Sequence, residues 1–346
     1  MLIEYFETDL NLQLIFGLML GLLFGVAAQI SHFCLRRSVA AEDGPDFAGL
    51  AVWLTALGVA IFAVQIANTM GFVALEGHRY LAQNAPVLAI LAGGLMFGVG
   101  MVLTRGCVTR LTVLSATGNL RAVVVLMVFA ITAHAMLKGV LSPLRVALGQ
   151  ATFDVATPSL AVIPGAGFFI PAVVLAVAIW LARRFGAPAA HLSLSVLIGL
   201  LVALGWVGTS TLLMDDFDPT PVQSLAFTLP FAESLFWTLA STAVPAGFGV
   251  GLIGGVLVGA FLSAATRSEL SLVSFADSRE TLRYGAGGVL MGVGGVLAGG
   301  CTIGAGLSGV STLSVAAILA LLSIVVGAVI ARQAFRERSM AGVVAQ

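Results

Sequence analysis

"GGLMFGVGMVLTRGC" (residues 93–107) and "GGVLMGVGGVLAGGC" (residues 287–301) agree at nine of fifteen positions without a gap. Both are apolar, both carry glycine at regular intervals, and both close on Gly-Cys. A long match at a fixed offset is an internal repeat, and the shared terminal Gly-Cys carries the most weight in it. What the repeat builds depends on the solvent around it and on the direction in which each copy runs.

The solvent is lipid. Of the 346 residues 59% are hydrophobic and 9% charged, with a mean hydropathy of +1.09, a composition that belongs to membranes. The net charge is zero, with no basic excess that would engage nucleic acid. Three scattered cysteines without CxxC or Cys/His spacing indicate neither a disulfide framework nor a zinc site. The N-terminal "MLIEYFETDL" holds three acids and no base before its apolar run, unlike a cleavable leader, so that run is expected to be retained.

Nine stretches are long or nearly long enough to cross about 30 Å of hydrocarbon: residues 12–30, 48–68, 85–104, 121–141, 165–182, 191–208, 246–266, 284–299 and 312–331. They lack the period-two alternation of barrel strands, so the expected class is an all-α polytopic membrane protein. Over alternate loops, one side receives thirteen Lys and Arg residues and the other only Arg79, Lys138 and Arg145. That excess places the N-terminus outside and the C-terminus in the cytoplasm. A tenth apolar stretch, 224–244, contains Pro230 and Glu233; were it to span, the tally would become seven against nine. It is therefore expected outside or re-entrant.

With nine crossings the third and eighth run in opposite directions, and the repeat is inverted. The expected architecture is nine transmembrane helices plus re-entrant half-helices in a single transport domain over residues 1–346, with the repeat in segments 85–141 and 284–331. A similar glycine series in the first span (Gly17, Gly21, Gly25) and the seventh (Gly247, Gly251, Gly255) stays outside the repeat, because those spans run the same way.

Inverted repeats with interrupted helices are a common transporter plan, the substrate lying near the midplane. Gly106 and Gly300 are expected to supply the backbone angles and close approach of a helix break. The following "VTRLTVLSATG" and "TIGAGLSG" read as half-helices whose N-terminal amides face that break and attract an anion without a membrane-buried cation. Thr302 adds a hydroxyl beside the second break. "GGCTIGAG" has neither the Lys-Ser/Thr ending nor the preceding strand of a nucleotide-binding loop. Cys107 and Cys301 occupy equivalent positions, and Cys34, in "AQISHFCLRRS", lies where the first span meets the basic side. A neutral thiol is a weak donor suited to a soft, sulfur-bearing anion that must pass without being trapped.

"HFC" after a glycine-rich first helix, "RGC" ending the third span and "GGC" ending the eighth resemble the three cysteine motifs of the YeeE/YedE family of bacterial sulfur-transport membrane proteins, over nearly the whole chain. The resemblance implies an hourglass-shaped importer of thiosulfate in the inner membrane, with Cys34, Cys107 and Cys301 as substrate-relay thiols. Some members are linked instead to selenium metabolism. It also implies a TusA-like sulfur carrier as a separate chain. No cofactor, metal site or acid/base pair is expected.

The remaining polar residues receive plainer readings. Arg105 and Arg110 flank Cys107 and are expected to serve topology first and anion steering second. Asp215, Asp216, Asp218, Glu4, Glu7 and Asp9 make the outer surface acidic, so Arg79, Lys138 or Arg145 is expected to line the entrance. His134 and Lys138 share a face of the fourth span, read as a hydrogen bond and a snorkelling lysine, with a proton relay as the alternative. Gln29, Gln65 and Asn68 read as packing hydrogen bonds. His32, His78 and His191 form no pattern. Two other functions stay open: a membrane protein of thiol or persulfide sulfur transfer, and a structural or sensory subunit with inert cysteines.

Overall fold

The computed structural model describes all residues but Met1, Asp43, Ala74, Glu76, 155–156, 215–220 and 345–346, and describes only the backbone of 2–11 and 337–344. The carboxylates of Glu4, Glu7, Asp9, Asp215, Asp216 and Asp218 thus lie outside the described residues. The described residues form thirteen α-helices: α1 (Leu2–Ser31), α2 (Leu35–Ala40), α3 (Phe47–Thr69), α4 (Val87–Leu103), α5 (Val108–Ala116), α6 (Leu120–Lys138), α7 (Ser142–Gly149), α8 (Ala166–Phe185), α9 (Ala189–Val207), α10 (Thr228–Leu239), α11 (Phe248–Thr266), α12 (Ser278–Leu297) and α13 (Val315–Val344). A two-residue strand pair, Asn84–Ala85 against Phe153–Asp154, pins two loops together.

Eight helical stretches among the described residues are long and apolar enough to cross a membrane. The ninth stretch of the sequence, 284–299, lies in α12, whose first turns carry Arg279, Glu280 and Arg283. Those charges and its glycines lower its hydropathy, yet its 20 residues extend about 30 Å. The tenth candidate forms α10, whose 12 residues extend about 18 Å and do not span.

Local chemistry starts the helices where the pattern requires. Asp46, Asn119, Asp277 and Ser314 each accept from the amide three residues on and cap α3, α6, α12 and α13.

The inverted repeat is visible in the packing. α4 and α12 cross antiparallel through their own glycines: a Cβ on Gly294 would stand 2.5 Å from the Gly93 carbonyl oxygen, and one on Gly100 2.7 Å from that of Gly287. Gly93 and Gly287 are equivalent in the repeat, as are Gly100 and Gly294, so a two-fold rotation in the membrane plane exchanges the two contacts. The same operation relates α4 on α13 to α12 on α6, α1 on α11 to α9 on α3, and α2 on α13 to α10 on α6. The symmetric unit is therefore longer than the quoted repeat: α1, α2, α3, α4 and α6 correspond to α9, α10, α11, α12 and α13. α7 and α8 join the halves, α8 packing on α3.

The glycine series of α1 and α11 is a packing seam between parallel helices, not a symmetry relation. Gly17, Gly21 and Gly25 meet the backbone of Phe248, Leu252 and Val256, and Gly251, Gly255 and Gly259 meet Leu14, Leu18 and Leu22. Small residues permit such close backbone approach within lipid.

Candidate functional site

Each cysteine stands at one kind of chain break. α1, α4 and α12 end on a left-handed residue, His32 (φ 52°), Arg105 (φ 57°) and Gly299 (φ 77°). One further residue leads to Cys34, Cys107 or Cys301, and a new helical segment begins there. The amides of Phe33 and Gly106 close the first two breaks by donating to the carbonyls of Ala28 and Met101, which satisfies orphan carbonyls at a helix end.

The glycine roles expected from sequence need correcting. The left-handed angle falls on Arg105 and Gly299, one residue before Gly106 and Gly300. Gly300 retains the close approach: a Cβ there would lie 2.6 Å from the Ala305 nitrogen. A Cβ on Gly106 would meet side chains and not backbone, Leu111 at 3.2 Å and Arg110 at 3.9 Å.

Cys34 and Cys107 are the N-cap residues of α2 and α5, and Cys301 opens a π-helical segment, Gly304–Gly309. The Gly304 amide donates to Cys301 Sγ at 3.4 Å, and the Arg37 and Arg110 amides lie within range of the Cys34 and Cys107 sulfurs. The first amides of a helical segment have no intrahelical acceptor, so all three thiols sit among donors. They share one core cluster. The Cys34 and Cys107 thiols are close enough to influence each other electrostatically. Cys107 also faces the Thr302 hydroxyl, which, like that of Thr109, is buried without a well-directed hydrogen bond. Buried polar groups are normally paired, and these two hydroxyls are exceptions within the protein core.

Side chains hold the π segment open. Tyr80 Oη donates to the Gly304 and Gly299 carbonyls (3.0 and 3.2 Å), Trp206 Nε1 to the Ser308 carbonyl (3.2 Å) and Gln65 Nε2 to that of Ser311 (3.0 Å). The Gly304 and Ser308 carbonyls belong to the widened turns and those of Gly299 and Ser311 flank them; such turns recur at functional sites. Gln65 does make the packing bond expected of it, and Gln29 bonds the Glu269 carboxylate at 3.0 Å.

Cavities open at opposite ends of α9. At its C-terminal end a cavity of 390 Å³ is lined by His78, Arg79, Tyr80, Trp206, Leu225, Gly304 and others. At its N-terminal end one of 160 Å³ is lined by His32, Cys34, Arg37, Asp46 and His191. Cys107 and Cys301 are buried, 2% and 0% exposed, and are among the lining residues of neither cavity. The three histidines without a sequence pattern stand at the two mouths, because turns far apart in the chain bring them there.

Symmetry shows what this cluster lacks. Phe227 caps α10 where Cys34 caps α2, so one end has two thiols and the other has one. Arg110 acts electrostatically on Cys34 and Cys107, and one of its guanidinium nitrogens is buried without a partner. Arg105 is outside this arrangement, pairing with Glu42 at 2.9 Å on the surface.

Of the three cations expected at the entrance, Arg79 lines the larger cavity, its guanidinium 5.0 Å from the Tyr80 ring centroid. Lys138 and Arg145 line a separate cavity with His134 and Glu233. His134 stacks on Phe236 at 5.1 Å in place of the expected hydrogen bond. Burial, reinforced by Arg79, lowers the His78 pKa to about 4, so His78 is neutral near pH 7.

Comparison with known proteins bears on this arrangement directly: the sulphur-transport family profile matches residues 23–330. The chain belongs to the sulphur-transport family. It is a multi-pass membrane transport protein and not an enzyme. The thiosulfate transporter TsuA of Escherichia coli (strain K12) is 29% identical over 324 residues, covering 84% of this chain and 86% of TsuA. The thiosulfate transporter TsuA of Spirochaeta thermophila is 27% identical over 332 residues, covering 90% and 96%.

Proposed function

We propose that this family member imports thiosulfate across a bacterial inner membrane through the neck that joins the two cavities. The anion enters by Arg79 and Tyr80, passes Cys301, then Thr302 and Cys107, then Cys34, and leaves beside Arg110 and Arg37. The observation that carries the reading is the file of three thiols, each opening a helical segment, between cavities at opposite ends of one helix. The sulphur-transport family and the TsuA relatives support the substrate class. Each station offers weak donors, a thiol, a hydroxyl and first-turn amides, which hold a soft dianion briefly and release it. The thirteen-to-three distribution of cations supports an orientation with the smaller cavity toward the cytoplasm. A separate TusA-like carrier collecting sulfur on that side belongs to the same reading.

Radiolabelled thiosulfate uptake into proteoliposomes tests it. Wild-type protein should accumulate label, and Cys107→Ala or Cys301→Ala at equal incorporation should slow uptake about tenfold or more, as expected when a bond of about 1.4 kcal/mol is lost. Undiminished uptake in both variants overturns the relay. Thiosulfate labelled on both sulfur atoms separates transport from sulfur transfer: the intact anion must arrive inside. Preferential competition by selenite would move the substrate to selenium.

A further inference from the structure

A second basic cavity, apart from the neck, opens between α2, α4, α12 and α13. Its 370 Å³ are lined by Arg36, Arg105, Arg283, Arg332 and Arg336, with Glu42 the one acid among its described lining residues. Glu42 is shared by two of the five, lying 2.9 Å from Arg105 and 3.8 Å from Arg36. The Nε atoms of Arg36, Arg283 and Arg332 are buried without a partner. Guanidinium groups suit bidentate contact with phosphate oxygens, and leaving several unpaired in a recess is costly unless an anion completes them.

The walls indicate where that anion comes from. Leu88, Leu91 and Leu95 are exposed along one face of α4, and the same face continues through Val99 to Val102 and Leu103, which line the cavity beside Phe335. A lipid-facing stripe thus runs directly into a ring of arginines. We propose that this cavity binds the phosphate headgroup of an anionic phospholipid, its acyl chains lying along the α4 stripe. Basic recesses between transmembrane helices recognise such headgroups. The assignment is independent of the thiosulfate reading, because none of these arginines lines the neck.

The test is native mass spectrometry of protein released from nanodiscs of equal phosphatidylcholine and phosphatidylglycerol. Wild type should retain phosphatidylglycerol selectively. Arg36→Gln/Arg332→Gln should lower that retention about 25-fold, at about fivefold for each guanidinium, with retention of phosphatidylcholine unchanged. If the double variant does not fold, Arg336→Gln replaces it, with about a fivefold loss expected. Equal retention of the two lipids by wild type, or undiminished retention by the variant, overturns the proposal. So does displacement of the lipid by millimolar inorganic phosphate or thiosulfate, which would make the cavity a site for a free oxyanion.

Discussion

Gly300 and Gly106 occupy equivalent positions beside their cysteines but meet different neighbours. An added methyl at Gly300 runs into backbone, the Ala305 nitrogen at 2.6 Å, whereas at Gly106 it meets the end of a leucine at 3.2 Å. Gly300→Ala should therefore lower stability by about 1–3 kcal/mol and reduce thiosulfate uptake, while Gly106→Ala should stay near wild type; detergent melts and uptake assays read the difference. His78 offers a pH test with a definite sign. Its pKa falls from 6.5 to about 4 on folding, so between those values the unfolded chain binds more protons and stability declines as pH falls. Melting points of wild type should drop from pH 6.5 toward 4, and His78→Asn should flatten that slope. Cysteine positions were legible because thiols are rare in this chain. The left-handed Arg105 was not, since nothing in "TRGC" marks an arginine for a conformation that usually selects glycine.

The broken helix is the element on which the site depends, and its two copies solve one problem differently. After Cys107 the chain resumes as regular α5, whereas after Cys301 it widens into a π segment whose carbonyls are met by Tyr80 and Trp206, with Gln65 bonding Ser311 just beyond it. Tyr80→Phe should cost about 1–2 kcal/mol through carbonyls left without a donor and should slow uptake; differential scanning fluorimetry beside the transport assay measures both. "VTRLTVLSATG" and "TIGAGLSG" did reveal two half-helices by length and by their place after Gly-Cys. The π widening was hidden because its donors come from loops and helices distant in sequence, and the same holds for His32, His78 and His191 at the cavity mouths.

Across the whole molecule, one rotation relates α1, α2, α3, α4 and α6 to α9, α10, α11, α12 and α13, so equivalent lesions should have equivalent consequences. Gly100→Ala and Gly294→Ala each press a methyl against the opposite copy's backbone at 2.7 and 2.5 Å, and their losses in melting temperature should agree within about a factor of two. The nine-crossing arrangement read from the sequence predicts termini on opposite faces; a green fluorescent fusion should then light at the C-terminus and stay dark at the N-terminus, and the reverse would invert the proposed direction of import. The apolar runs and the charge tally made the helix order readable. The extent of the symmetry was not readable, because outside residues 93–107 and 287–301 it survives in packing and not in residue identity. The tight burial of Cys107 and Cys301 has one more consequence. Side chains packed this closely leave no open bore at those two residues, so a solute that crosses there has to part packed side chains and cannot simply flow through.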